Sequence, residues 1–422
     1  MFLNNTTYLK GFIHMVVLLL FNQPLLSINI MKRFLILFVL PLLFAQCRKK
    51  CGTVIPKPVY YDCVPAQQLS EAFLPAEKIT AILEKYVERG LPGITFLARK
   101  GDQYWEEQKG MADLEKNRPI KPCMVWPGYS ITKMYTATVI LKLKEEGKID
   151  LDKPIAGYLP ANIVARVPGA AKITVRHLLN HSSGIENFWN NSRYILGYLD
   201  DPKRSYTVDD YLDATQERLF EPGKDVSYSN TNYLLLALII DQVTGKPHIQ
   251  AFEKYIIQPL DLTGTYYKEL PAVQMNNNSP KLYADTDGEG QLTEYTDNSF
   301  IQFKNEFGSN GILATPKNYV DFLYALTHAK VFANNTFNEM KTWVRSSVGS
   351  EVYGLGFENF NIGGKEVYGH SGNSFGGRTF LVYVPEKELT FFIGVNAGAE
   401  LGGPVVIHFA HLIADIAMVL IK

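Results

Sequence analysis

The C-terminal third of the chain constrains its fold most. From Val367 to Gly398 the sequence reads VYGHSGNSFGGRTFLVYVPEKELTFFIGVNAG, glycine-punctuated runs rich in valine, phenylalanine and tyrosine, and it closes on an apolar helix, PVVIHFAHLIADIAMVLIK. A matching pair of strand-like runs, GITFLARKG and QYWEEQKGMAD, lies near residue 100 and reads as a hairpin. It follows a helical segment, LPAEKITAILEKYVERG, stopped by Gly90. Between these ends the chain is mostly helical, with TVRHLLNH and NYLLLALIIDQVTGKP carrying helical periodicity and Gly245 and Pro247 ending the second. Strands at both ends around a helical insert predict an α+β fold. An antiparallel sheet is flanked by N- and C-terminal helices and completed by both ends of the chain, with a mainly helical domain inserted and the site between them. The α/β part is expected over about 67–125 and 300–422, and the helical part over about 126–299.

Composition narrows the function. At 422 residues and 46% hydrophobic content the chain has ample material for a core. Lysine plus arginine and aspartate plus glutamate both number 42, so no basic excess points to nucleic acid. The four cysteines, Cys47, Cys51, Cys63 and Cys123, form no C-x-x-C pair and the eight histidines no H-E-x-x-H, so neither a metal site nor a cofactor is expected.

The N-terminal region reads as a targeting segment. From Met31 the chain runs MKRFLILFVLPLLFAQCRKK, a short basic start, an apolar run from Phe34 to Ala45, then Cys47. The run is too short to span a bilayer and has the layout of a secretory signal. It resembles a bacterial lipoprotein signal, which would make Cys47 the lipid-bearing residue and the protein periplasmic or membrane-anchored. Gln46 and the following Arg48, Lys49 and Lys50 depart from that pattern, leaving ordinary cleavage or a retained anchor open. Residues 1–30 are expected to lie upstream of the true start, 31–47 to form the signal and 48–66 a tether. Cys51 and Cys63 either pair in an oxidising compartment or stay as tether thiols.

Three short motifs carry the chemistry. GYSITKMYTATVILKLKEEG begins with a turn and reads as an amphipathic helix with Ser130 and Lys133 on one face. A lysine near a helix N-terminus faces the positive end of the macrodipole, which depresses its pKa and suits it as a general base. Alone, the pair also describes an N-cap serine and a solvated lysine. FEPGKDVSYSNTNY places Tyr228 and Asn230 one residue apart, so that a phenol and an amide reach one site, with the phenol drawn below its usual pKa by a nearby lysine. YGHSGNSFGG opens a strand with His370, Ser371 and Gly372, where glycine lets a substrate lie close and the Asn373 N–H joins that of Ser130 as an oxyanion donor.

In the order S-x-x-K, Y-x-N, H-x-G, these motifs resemble the serine β-lactamase and penicillin-binding protein superfamily. The likeness is to class C β-lactamases, D-alanyl-D-alanine carboxypeptidases and their esterase and D-aminopeptidase relatives. It runs from about residue 70 to the C-terminus and includes GLPGITFLARKG, LLNHSSGI, FEPG and IIQPLDLTGT. The resemblance implies Ser130 as nucleophile, Lys133 as base, Tyr228 as proton shuttle, and Asn230, His370, Ser371, Gly372 and Asn373 as substrate-binding residues. It implies an acyl-enzyme on a peptide, ester or β-lactam substrate in the cell envelope, without an obligate protein partner. An esterase and a penicillin-reactive receptor are the alternatives. The chain departs from the class C pattern at His370, where a lysine is usual. Arg378 is read as an exposed strand arginine or as the missing charge, Cys123 as a packing thiol, and His181 as a structural residue in a loop at the mouth of the site. The segment from Leu270 to Phe307 is expected to decorate that site.

Overall fold

The computed structural model describes residues 74–421 apart from 216, 272–277, 350–351 and 400–401. The expectations on residues 1–66, including the signal and Cys47, lie outside the described residues. Helix α1 (Ala76–Glu88) buries Ile79, Leu83 and Tyr86, spaced four and three apart on one face, and the chain leaves it through Gly90 at φ 103°. It enters the hairpin of β1 (Gly93–Lys100) and β2 (Gln103–Asp113), followed by the short β3 (Arg118–Pro119). A 3₁₀ turn, Tyr129–Ile131, leads into α2 (Thr132–Glu145). The helices of the middle region include α3 (Ser192–Asp200), α4 (Asn230–Thr244), α5 (Thr296–Asn305) and α6 (Pro316–Thr327). The remaining strands of the sheet are β4 (Val344–Arg345), β5 (Val352–Tyr353), β6 (Glu358–Ile362), β7 (Lys365–Ser374), β8 (Gly377–Val384) and β9 (Leu389–Val395). Helix α7 (Pro404–Leu420) closes the chain.

The nine strands lie in the order β3-β2-β1-β9-β8-β7-β6-β5-β4, and the pairs for which register is defined are antiparallel. Strands from the two ends of the sequence meet at β1 and β9, where Ile94 pairs with Val395 and Lys100 with Leu389. Alternation along these strands sorts side chains to two covered faces. Ile94, Phe96, Val382, Phe391 and Ile393 pack with Leu83 of α1 and Leu412 of α7, and the Lys85–Asp415 ion pair at 2.7 Å links the two helices. Leu97, Leu381 and Phe392 face the opposite way, against Tyr319 and Phe322 of α6 and the core of the helical region. The layers are therefore helix pair, sheet, and helical region, with the site at the junction of the last two.

Two local expectations are corrected. Helix α2 is not amphipathic: every residue from Thr132 to Leu141 is buried, with α4 and the helical segment at 248–257 packed against it, and only its last turn reaches water. Cys123 is not a free packing thiol but is disulfide-bonded. Among the described residues no helix is long and apolar enough to cross a membrane, and no group of three or more His, Cys, Asp or Glu side chains is arranged to hold a metal ion.

Candidate active site

Ser130 occupies the 3₁₀ turn ahead of α2, one residue after Tyr129, whose φ of 49° is in the left-handed region that a bulky residue seldom adopts. This kink presents Ser130 Oγ to a cavity of ≈ 470 Å³ while Lys133, in the first turn of α2, points to the same place from within the protein. Lys133 is 0% exposed. Its Nζ lies 2.9 Å from Ser130 Oγ, donates to Asn230 Oδ1 at 2.7 Å and to the Ser309 carbonyl at 3.0 Å, and lies 4.8 Å from the centre of the Tyr228 ring. Ser229 is extended and Asn230 begins α4, so the Y-x-N spacing spans a helix start. The Tyr228 hydroxyl is 2.6 Å from Ser130 Oγ. One oxygen thus sits between an amine and a phenol.

The electrostatics differ from the expectation in cause and, for the tyrosine, in sign. Burial is what lowers the Lys133 pKa, to about 7, while the carboxylates of Glu306 and Glu358 oppose it. The helix terminus is not needed to explain the shift. Tyr228 is not drawn down: burial raises it well above its usual value, with the Ser130 hydrogen bond only partly opposing, so its phenol keeps its proton. An amine whose neutral form is well populated near pH 7, set against a serine hydroxyl, is the arrangement that activates a nucleophile, and a protonated phenol beside both is a proton donor.

The third motif lies inside a strand rather than at its start, since β7 begins at Lys365. The Ser371 N–H donates to Glu358 Oε2 at 2.8 Å, toward the β6 side. Backbone groups address the two edges of a strand with period two, so the Asn373 N–H faces that same edge. Pairing with β6 stops at Glu358 and Gly369, which leaves this edge open beside the Ser130 turn. Gly372 makes room for the turn itself rather than for substrate: a Cβ there would come within 2.4 Å of the Gly128 carbonyl oxygen and 3.1 Å of Tyr129 Cβ. His370 is buried, with Nδ1 donating to the Ser371 carbonyl at 2.6 Å, and burial lowers its pKa so that it is neutral. Ser130, Tyr228, Asn230, Ser371 and Asn373 line the cavity; His370 and Gly372 do not. Arg378 is turned from it, donating to Asn373 Oδ1 at 2.8 Å and to the Ala399 carbonyl.

His181 lies in a turn, as expected for a structural loop residue, and is buried. Its ring lies 4.6 Å from that of Tyr228, and its Nδ1 accepts the Ser229 N–H at 3.1 Å. Sequence reasoning missed Asn187, Ser309, Glu306 and Glu358. Asn187 Oδ1 accepts from the Asn230 backbone at 3.2 Å and side chain at 3.3 Å, and only its place just after HSSGI hinted at it. Glu306 follows α5, inside the segment expected to decorate the site, and its Oε2 accepts from Ser309 Oγ at 3.0 Å.

Comparison with known proteins agrees with this geometry. The Beta-lactamase family profile matches residues 79–413. PbpX of Bacillus subtilis (strain 168), named as a penicillin-binding protein, is 28% identical over 280 residues, 64% of this chain and 62% of that protein; the chain spans less than two thirds of that relative. Among solved structures, a D-stereospecific amidohydrolase from Streptomyces sp. is 27% identical with a TM-score of 0.66, covering 79% of this chain and 98% of its own. The octameric penicillin-binding protein homologue from Pyrococcus abyssi is 25% identical with a TM-score of 0.68, covering 82% and 78%. The chain belongs to the Beta-lactamase family, a family of serine hydrolases.

Proposed function

We propose that the protein is a serine amidohydrolase acting on amides of D-amino acids, working through an acyl-enzyme on Ser130. The observation that carries the reading is Ser130 Oγ held 2.9 Å from Lys133 Nζ and 2.6 Å from the Tyr228 hydroxyl. Neutral Lys133 takes the serine proton as Oγ bonds to the amide carbon. The carbonyl oxygen becomes an oxyanion facing the N–H groups of Ser130 and Asn373, each such donor typically worth about 2.7–4 kcal/mol in the transition state. As the C–N bond breaks, the leaving nitrogen takes a proton from Tyr228, which recovers one from Lys133. Water then attacks the ester as Lys133 accepts its proton, and Lys133 returns that proton to Ser130 Oγ as the C–O bond breaks, so that the acid product leaves and ionises in solvent with Ser130 and neutral Lys133 restored.

Amide and D-configuration are supported by the likeness to the D-stereospecific amidohydrolase, which spans 98% of that chain. Two features weigh against substrates recognised through a carboxylate: His370 is neutral, and Arg378 does not line the cavity. A role in the cell envelope, through export and a lipid on Cys47, is part of the proposal and is supported by the apolar run from Phe34 to Ala45 that precedes the cysteine.

The test is ammonia release from the primary amides of D- and L-phenylalanine, beside a Ser130→Ala control. Release from the D-amide, abolished by the substitution, supports the reading. Turnover of phenyl esters without turnover of either amide would replace it with an esterase.

A further inference from the structure

Two carboxylates, Glu306 and Glu358, line the cavity that holds Ser130, and among the described residues lining it no other carries a formal charge. Glu306 is 3% exposed; its Oε1 accepts from Gln302 Nε2 at 2.8 Å and its Oε2 from Ser309 Oγ at 3.0 Å. Glu358 accepts the Ser371 N–H through Oε2, and its Oε1 is 3.7 Å from His370 Nδ1. A carboxylate offers about four lone-pair sites, so these amide and hydroxyl donors leave each with acceptor capacity toward the cavity.

No basic side chain lines the cavity beside them: His370 is buried and neutral, and neither Lys133, its pKa lowered to about 7, nor Arg378, which donates to Asn373 Oδ1 and the Ala399 carbonyl, is part of the lining. Trp189, Ile195, Leu199 and Phe375 add an apolar wall to the same cavity. The cavity thus combines a serine, an apolar surface and two carboxylates with no basic side chain among its described lining residues.

We propose that Glu306 and Glu358 select substrates with a cation beside the scissile carbonyl, namely α-amino amides with a free ammonium group and an apolar side chain, and disfavour those with a carboxylate there. The inference rests on the amidohydrolase reading and adds the charge preference and the residues that set it. Acylated peptides ending in a carboxylate, and β-lactams, which also carry one, fall on the disfavoured side.

The test compares kcat/KM of the purified protein for D-phenylalanine amide and N-acetyl-D-phenylalanine amide, which differ in the charge. A preference for the free amine on the order of 10-fold to 100-fold is expected, the scale of one partly screened charge pair. Glu306→Gln and Glu358→Gln should each shrink this ratio toward one. Since either variant could misfold, a wild-type measurement stands beside them: competitive inhibition of ester cleavage by phenethylammonium and by 3-phenylpropionate. At least tenfold tighter inhibition by the cation supports the inference. Equal inhibition, tighter inhibition by the carboxylate, or equal turnover of the two amides overturns it while leaving amide hydrolysis intact. Failure to cleave either amide sinks the amidohydrolase reading instead, and the inhibitor pair still decides the charge preference.

Discussion

Lys133 Nζ lies 2.9 Å from Ser130 Oγ, three residues away, with no water-exposed surface on the lysine. The 3₁₀ turn that carries Ser130 and the burial of α2 together make this possible. On the mechanism derived from that contact, Lys133→Ala should lower kcat by about 100-fold to 10,000-fold, the range associated with a positioned general base. Steady-state kinetics on a preferred substrate checks it, and a variant within fivefold of the parent would remove Lys133 from the base role.

Tyr228→Phe keeps the ring and deletes the hydroxyl 2.6 Å from Ser130 Oγ. It should cost amide hydrolysis about 100-fold, because the nitrogen leaving group needs a proton, and cost an activated ester with a good leaving group distinctly less. Parallel rate measurements on the two substrates check the difference; equal losses would mean that the phenol only positions.

The acid limb of kcat/KM should reflect Lys133. Its pKa, lowered to about 7 by burial, makes the neutral base dominant above that pH and protonated below it, so the rate should rise with pH through about 7. Tyr228 is raised well above its usual value, so its ionisation should cause no fall below pH 10. Glu306 pulls the Lys133 pKa up, hence Glu306→Gln should move the limb to lower pH. A pH–rate profile of both proteins decides this.

The His181 ring packs at a tilt against that of Tyr228 and accepts the Ser229 N–H, holding both residues that precede α4. His181→Phe preserves a ring but removes the acceptor, leaving a buried N–H without its partner at a cost of about 1–3 kcal/mol. Chemical denaturation should show that loss, with kcat falling more than KM rises because the phenol drifts from Ser130.

Gly372→Ala drives a Cβ to 2.4 Å from the Gly128 carbonyl oxygen and 2.3 Å from Thr379 Oγ1. Neither β7 nor the turn can yield without moving Ser130, so a loss of about 1–3 kcal/mol in stability is expected, accompanied by loss of activity. Retention of both would show that the turn and the strand are less closely fitted than this geometry requires.

The fold was legible in the sequence where periodicity was strong. The hairpin at Gly93–Asp113, the glycine-punctuated strands after Lys365 and the helix from Pro404 each announce their partners through alternation or a repeating apolar face. The residues brought together around Ser130 could be nominated because three short motifs each carry an unusual pairing of polar side chains. The burial of α2 was not legible, because its lysines and threonines mimic a solvated face and only tertiary contacts hide them. The same holds for the sign of the Tyr228 shift: a nearby cation is readable from the motif, whereas desolvation depends on what packs around the ring. Glu306 and Glu358 come from a helix end and a strand start with no local pattern, so their convergence on one cavity is a property of the topology.

The most direct test of the central claim is the site of covalent modification by a fluorophosphonate, which reacts with activated serines. Intact mass followed by peptide mapping should find one adduct on Ser130, absent in Ser130→Ala and formed much more slowly in Lys133→Ala. An adduct on another residue, or equal labelling of the Ser130→Ala protein, would contradict Ser130 as the nucleophile.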